Sequence, residues 1–545
     1  MNDGLKYPEQ ALLPGLHAAP RGLAGDGPEA DLPPETDAAR ASGPYDDQHL
    51  LPGFTLVALL DMDETDAASS PVPDEGSKAG EAGRAADGPT GARMHVFAPE
   101  RTAPDLPPIT VIGLGLDGAL RPAAAQALRR AEALGLPRRL LKRFQSHRAR
   151  IIPLVAPLES ALRALEDQRR QGRRCVVLAD GDPLLYGIGA TLARRFQEAG
   201  EAPDKALRIL SGLSALQTAC ARLALPRHDV EAVSLHGRTD WTPLAHAALS
   251  GRPVGIYTDA DNTPDRIARF LSERGVDWYH MAVAAHLETR RESIRRLELH
   301  EAAGLEFSGG ETVLLVPHAP ARGPRLGLDE SALVAEAGLY TKAPVRAAAL
   351  SLLGLAPDAV VWDIGAGSGS VALEAAALVP RGRVFAVEQH PDRILCIQEN
   401  RRRLGVPHLD IIQAAAPLGL DELPAPDAVF VGGGLGGGPG RPEEAEPGAD
   451  SRALQAVGPA TGRAAAPRAA LLLNVLLDRL KPGGVLVASC ALLSSLRTLT
   501  LYLDAHGLPY DLTQVQAAIS SPLAGSLTLK AHNPIMLVRT RKPLG

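Results

Sequence analysis

The sequence predicts an α/β protein made of two successive alternating blocks, and three observations carry that prediction. Short strand-like runs of Val, Ile and Leu alternate with helix-like runs twice along the chain. A glycine-rich turn follows the first strand of each block: "ITVIGLGLDG" from Ile109, and "VVWDIGAGSGSVALEA" from Val360 to Ala375. A Gly- and Pro-rich stretch, "HAPARGPRLGLDE", lies between the blocks and reads as a linker.

Length and composition set the frame for each block. A chain of 545 residues is too long for one hydrophobic core. With 45% hydrophobic residues but only 3% aromatic ones, the cores must be built from Leu, Val, Ile and Ala. A formal net charge of −6 argues against nonspecific nucleic-acid binding. Cys175, Cys220, Cys396 and Cys490 are far apart and form no CxxC pair, which predicts free thiols, a reducing cytoplasm and no metal site. There is no run of eighteen apolar residues and no basic start followed by an apolar stretch, so neither a membrane span nor a secretory leader is expected.

Taken in order, residues 1–105 are rich in Pro, Gly, Ala, Asp and Glu, with "LLPGFTLVALLDM" as the sole apolar island, and read as a disordered extension. The first domain is expected over 106–320. Its strands are "ITVIGL", "CVVLAD", "LRIL", "PVGIYTD", "YHMAVAAH" and "ETVLLV", and "PAAAQALRRAEAL" is expected to be its first helix. A linker over 321–337 leads to a second domain over 338–545. The strands there are "AVVWDI", "RVFAVE", "LDIIQA", "DAVFVG", "GVLVAS", "LTQVQAAI" and "IMLVRT". The last two strands leave no room for a helix between them, which predicts an antiparallel hairpin at the sheet edge. Residues 435–467, rich in Gly, Pro and Ala, read as a disordered insertion.

The loop after Asp363 discriminates between ligands. A dinucleotide site wants G-x-G-x-x-G with a helix N-terminus aimed at a pyrophosphate. Here Gly365, Gly367 and Gly369 are spaced G-x-G-x-G behind an acid, and the next strand ends in a second acid, Glu388, 25 positions on. An acid at the strand tip suits a cationic ligand, and S-adenosylmethionine carries an ammonium and a sulfonium with no phosphate. Glu388 is placed to accept hydrogen bonds from ribose hydroxyls. With the downstream "RLKPGGVLV", this set resembles the class I methyltransferase pattern, which implies a Rossmann-like domain.

The first block carries a different set. "VVLADGDPLLYGIGATLARRF" places an Asp-Gly-Asp-Pro turn between a strand and a helix, and "LSGLSALQTACARLALP" places a small-residue turn before another. These stretches resemble the tetrapyrrole methylase family, the class III methyltransferases, whose two α/β lobes bind S-adenosylmethionine in the cleft between them. Gly113, Gly115, Asp117 and Gly118 match that family's first loop; Gly181, Asp182, Pro183, Tyr186 and Gly187 match its second.

A tetrapyrrole methylase followed by a class I methyltransferase is similar to the bifunctional precorrin-6Y methyltransferase (decarboxylating) family. "SLHGR", "TDADNTPDRIARFL", "GLYTKAPVRAAALSLL", "DAVFVGGG" and "LKAHNPIMLV" add to the likeness. Ala415 stands where that family carries an aspartate facing the adenine. The resemblance implies methylation of carbons 5 and 15 of a precorrin and loss of carbon dioxide from an acetate side chain, in a cytoplasmic, self-associating enzyme of cobalamin biosynthesis. It names no catalytic side chain, since the macrocycle's own carbon is the nucleophile. The polycarboxylate tetrapyrrole substrate calls for cations in its cleft, and Arg238, Lys342 and Arg346 are the candidates. Two other classes stay open: a related methylase fused to an RNA or protein methyltransferase, and a regulatory S-adenosylmethionine-binding protein with an inactive second site.

Overall fold

The computed structural model describes residues 106–116, 120–338, 340–433, 435 and 466–544. The extension expected over 1–105 and residues 436–465 of the expected insertion lie outside these residues.

The first block divides into two sheets. Strands β1 (Ile109–Leu114), β2 (Ala133–Pro137), β3 (Arg150–Leu154), β4 (Cys175–Asp180) and β5 (Leu207–Leu210) form a parallel sheet in the order β3-β2-β4-β1-β5. A parallel sheet is covered on both faces, so its strands read as continuous apolar runs. Ile109, Val111 and Val177 pack on one side, and Ile112, Val176 and Leu178 on the other. One sequence expectation is corrected here. The helix begun at Pro122 stops at Arg130, and the end of "PAAAQALRRAEAL" belongs to β2. Ala and Leu favour helix locally, but β2 has strands on both sides that pair with its amides, and Leu134 and Leu136 are fully buried.

The second sheet, in the order β6-β7-β10-β8-β9, holds β6 (Glu231–Ser234), β7 (Val254–Tyr257), β8 (Tyr279–Ala285), β9 (Ser293–Glu298) and β10 (Thr312–Pro317). Only β6 and β7 run parallel to each other. The helix Ala215–Arg222 leads from the first sheet to the second and packs on the second. It starts at a capping box in which Ser214 Oγ accepts from the Gln217 amide at 3.1 Å and the Gln217 side chain accepts from the Ser214 amide at 2.9 Å.

The third sheet runs β13-β12-β11-β14-β15-β19-β16. It comprises β11 (Val360–Ile364), β12 (Arg383–Glu388), β13 (Leu409–Gln413), β14 (Ala428–Val431), β15 (Val485–Cys490), β16 (Tyr510–Val515) and β19 (Ile535–Arg541); β17 (Ala518–Leu523) and β18 (Ser526–Ala531) make a separate hairpin. The first five strands are parallel, and β19 is antiparallel to both its neighbours, so the expected antiparallel pair lies at the sheet edge. The expected strand "LTQVQAAI" is corrected, since it divides between β16 and β17 and the β17–β18 hairpin separates β16 from β19 in the chain. Strand order reverses between β11 and β14, and in doubly wound sheets the crevice beyond the strand ends at such a point receives the ligand. Alternate residues fill the two faces: Val361, Ala386 and Phe430 on one, Trp362, Val387 and Val429 on the other. Each buried Val or Phe side chain among them contributes about 1.5–3 kcal/mol.

The second and third sheets are also held together through their flanking helices. Arg274, after the helix Pro264–Glu273, donates to the Pro407 carbonyl at 3.1 Å and to Asp410 at 3.0 Å. His246 Nε2 lies 2.8 Å from the Gly382 carbonyl. At Gly275 a Cβ would stand 1.8 Å from the Arg402 carbonyl oxygen, so no larger residue fits.

Candidate functional site

The first glycine cluster is a set of turns packed back to back. The Gly181 amide donates to the Leu114 carbonyl at 2.8 Å, and the Gly212 amide donates to the Gly181 carbonyl at 3.1 Å. A Cβ on Gly113 would lie 2.0 Å from the Gly181 oxygen and 2.4 Å from the Gly212 nitrogen. The turns after β1, β4 and β5 therefore touch through bare backbone, with Gly115 just beyond β1. Asp182 shapes its own turn: its carboxylate accepts from the Leu184 amide at 2.9 Å and its carbonyl from the Leu185 amide at 3.1 Å. Pro183 lies under the next helix, whose Gly187 and Gly189 would each place a Cβ under 3 Å from the Pro183 carbonyl oxygen. Asp117 and Gly118 lie outside the described residues.

Tyr186 links the two lobes. Its φ of 56° is left-handed, an uncommon conformation for a bulky residue. That backbone carries the ring across to the second sheet, where the hydroxyl donates to the Ala232 carbonyl at 2.5 Å and the ring meets Tyr257 edge-on at 6.2 Å. Burial pushes the Tyr186 hydroxyl above its ordinary pKa, opposed by the charge of Arg238. The guanidinium of Arg238, itself exposed, lies 5.7 Å from the centre of the Tyr186 ring. His236 Nδ1 lies 3.2 Å from the Thr258 carbonyl, and Asn262 donates to the Leu235 and Arg238 carbonyls at 2.8 and 3.0 Å. The "SLHGR" and "TDADN" stretches thus brace each other.

The second glycine loop opens onto a cavity of about 1050 Å³ at the reversal between β11 and β14. Asp363 and Glu388 both line it, with Gly365, Gly367, Gly432 and Gly433. The helix Ser370–Leu378 starts at Gly369, whose φ of 78° turns the chain out of the loop. Asp363 Oδ2 accepts from the Ala372 amide in the helix's first turn at 3.0 Å, a favourable place for a negative charge. Its Oδ1 is buried without a partner among the described residues. Burial, against the opposing Ala372 hydrogen bond and with help from the charge of Glu388, raises the Asp363 pKa to about 7. Glu388 accepts from the amides of Gly367, Gln389 and His390 at 2.9, 2.9 and 3.0 Å, which fixes its carboxylate at the strand tip.

These features fit a cationic cofactor. The orphaned carboxylate oxygen lacks a donor or a positive charge, and the space where a Gly367 Cβ would stand is open. Beside the loop, Ala414 and Ala416 line the cavity, with Ala415 between them.

Of the three cations expected to meet substrate, Lys342 lines the cavity, pairs with Glu330 at 3.4 Å and lies 3.9 Å from the centre of the Tyr340 ring. Arg346 is a correction. It is fully buried, pairs with Glu374 at 2.8 Å and donates to the Thr341 and Leu328 carbonyls at 2.7 and 2.6 Å. It holds the segment before the helix Ala343–Leu353 against the helix Ser370–Leu378 and does not face the cavity. Sequence reading did not single out Tyr340, Thr341, Arg393, Arg468, Ser489 or Asn533, all of which line the cavity. "GLYTKAP" and "KAHNPIM" flagged three of them only as parts of motifs.

The family model for tetrapyrrole (corrin/porphyrin) methylases matches residues 108–303, and the model for the precorrin methyltransferase domain matches residues 332–439. A precorrin-6Y C(5,15)-methyltransferase [decarboxylating] of Sinorhizobium sp is 31% identical over 60% of this chain and 79% of its own length. A cobalt-precorrin-7 C(5)-methyltransferase of Salmonella typhimurium is 33% identical over 38% of this chain and 98% of its own. A cobalt-precorrin-6B C(15)-methyltransferase (decarboxylating) of the same organism is 30% identical over 39% of this chain and 95% of its own.

Proposed function

The chain belongs to the precorrin-6Y C(5,15)-methyltransferase (decarboxylating) family, and on that premise we propose that it methylates carbons 5 and 15 of a precorrin and removes carbon dioxide from an acetate side chain in cobalamin biosynthesis. The observation that carries this reading is the presence in one chain of two differently built glycine sites, one matched by each family model. Carbon 5 falls to the first block, and carbon 15 with the decarboxylation to the second. The same reading takes the protein as cytoplasmic and self-associating, both from the family resemblance.

S-adenosylmethionine supplies an electrophilic methyl group when bound. The chain's own residues then have to bind, align and keep water out, because the macrocycle carbon is the nucleophile and holding the partners in line supplies most of the rate. In the second block Asp363 would hold the cofactor's positive end through its unpaired oxygen, and Glu388 would accept from the ribose hydroxyls with the lone pairs its amide donors leave free. Lys342, Arg393 and Arg468 are the cavity's cations for the carboxylates of the substrate, with Lys342 paired to Glu330 and Arg393 to Glu336. In the first block Asp182 holds the second loop in shape and Arg238 lies at the lobe junction beside Tyr186.

Incubating the full chain with a metal-free or a cobalt-bound precorrin and labelled S-adenosylmethionine tests the reading. Two labelled methyl groups gained and one carbon dioxide lost per molecule support it. Cofactor binding without product, on either form, contradicts it and favours a regulatory role.

A further inference from the structure

The edge of the second sheet carries a donor cluster that neither glycine site uses. His280 on β8 pairs directly with Glu298 on β9, so their side chains share one face. On its other side β8 pairs with β10, where Val316 stands opposite His280. His318 lies two residues beyond Val316, on the same face by the two-residue period of a strand, and its amide still donates to the Trp278 carbonyl at 3.0 Å. Strand register thus brings two imidazoles and a carboxylate to one patch. No sequence motif announces them, and the sequence reading expected no metal.

The geometry is close. His280 Nδ1 and Glu298 Oε1 are 2.8 Å apart, and the rings of His280 and His318 stack at 4.1 Å. One ligand atom from each of the three residues lies within 4.8 Å of the other two. The Glu298 amide donates to Glu301 Oε2 at 3.0 Å, which pins the carboxylate-bearing residue at the start of the helix Leu299–Ala303. His280 and Glu298 also line a pocket of about 490 Å³, together with Arg296 and Glu301. Metal bonds of roughly 2.0–2.1 Å in a tetrahedral arrangement bring donors to a little over 3 Å from each other. The two imidazoles are exposed, so their side chains have room to turn from the stacked arrangement toward that spacing.

We propose that His280, Glu298 and His318 form a binding site for one divalent first-row cation of the zinc class, tying β10, β8 and β9 together, with water completing the coordination. Two imidazole nitrogens and one carboxylate oxygen are a donor set that such ions favour over magnesium or calcium. A metal there crosslinks three strands and stabilises the second sheet.

The test titrates the full chain with Zn²⁺ by calorimetry and with Co²⁺ by visible absorption, then repeats both on His280→Ala/His318→Ala and on Glu298→Gln. The expected result is a saturable site in the parent chain, visible Co²⁺ bands from nitrogen coordination, and a rise in Tm on adding Zn²⁺. The double variant should bind at least a hundredfold more weakly and lose the bands and the rise in Tm; Glu298→Gln should bind about tenfold more weakly. Circular dichroism of the metal-free variants reports their folding, and Glu298→Gln, which keeps the side chain's shape, carries the test if the double variant misfolds. Unchanged Zn²⁺ affinity and unchanged Co²⁺ bands in a folded variant, or no saturable binding by the parent chain, would overturn the proposal.

Discussion

The two glycine clusters look alike in the sequence and differ in what their glycines are for. Around Gly113 the missing side chain makes room for other backbone: the turns after β1, β4 and β5 touch at distances no Cβ tolerates. Around Gly367 nothing stands within 4 Å of a Cβ position, and the empty space is the wall of a large cavity. The first cluster is closed by backbone packing; in the second, Gly369 packs against Ile397 while the space beside Gly367 is open, and two buried carboxylates edge the cavity. A glycine can therefore serve backbone packing, as at Gly113, or leave open the wall of a cavity, as at Gly367; what lies opposite it tells which.

That contrast is most directly broken by alanine. Gly113→Ala drives a methyl group into two peptide groups that have no room to yield, so we expect a loss of several kcal/mol and early unfolding of the first sheet. Gly367→Ala meets only open space, and its cost is the left-handed φ of 59°, about 1–2 kcal/mol. Denaturant unfolding of both variants checks this; equal losses would erase the distinction.

The next largest effect concerns Arg346. Arg346→Met leaves Glu374 buried without its cation, which costs about 3–5 kcal/mol in the third-sheet region. A substrate-binding arginine would instead leave stability unchanged and raise KM, so unfolding and kinetics on one variant separate the two roles.

A smaller effect follows from the raised pKa of Asp363. In the unfolded chain the carboxyl ionises near 3.8; in the native state it ionises near 7. Between those values the native state holds the extra proton, so this group's contribution to stability falls as pH rises from about 4 to 7. A cationic cofactor favours the ionised form, so affinity at the second site should rise with pH up to about 7 and then level off. Binding below that pH should release a proton. Calorimetry in buffers of different ionisation heat measures both, and Asp363→Asn should flatten the profile. An unchanged profile in that variant would remove Asp363 from the site.

Much of this was legible in the sequence because strands buried on two faces leave long apolar runs, and because Asp363 and Glu388 end adjacent strands of one sheet. The antiparallel edge pair of β16 and β19 was legible, but the β17–β18 hairpin that fills residues 516–534 between them was not. What was not legible depended on neighbours. β2 looks helical until β3 and β4 supply partners for its amides. Arg346 reads as a substrate-facing cation until Glu374 arrives from a helix 28 positions later. His280, Glu298 and His318 meet only through strand register.

The central claim is that the chain holds two methyl-transfer sites of separate construction, and the mass of the product tests it most directly. Asp363→Ala and Asp182→Ala would each be incubated with precorrin substrate and labelled S-adenosylmethionine, with circular dichroism confirming that the variants fold. The account predicts that Asp363→Ala yields product with one added methyl group, at carbon 5, and that Asp182→Ala yields the complementary product at carbon 15 unless the two steps run in obligatory order. Two methyl groups added at the parent rate by Asp363→Ala would contradict it, since the cavity beside β11 would then not be a site of methyl transfer.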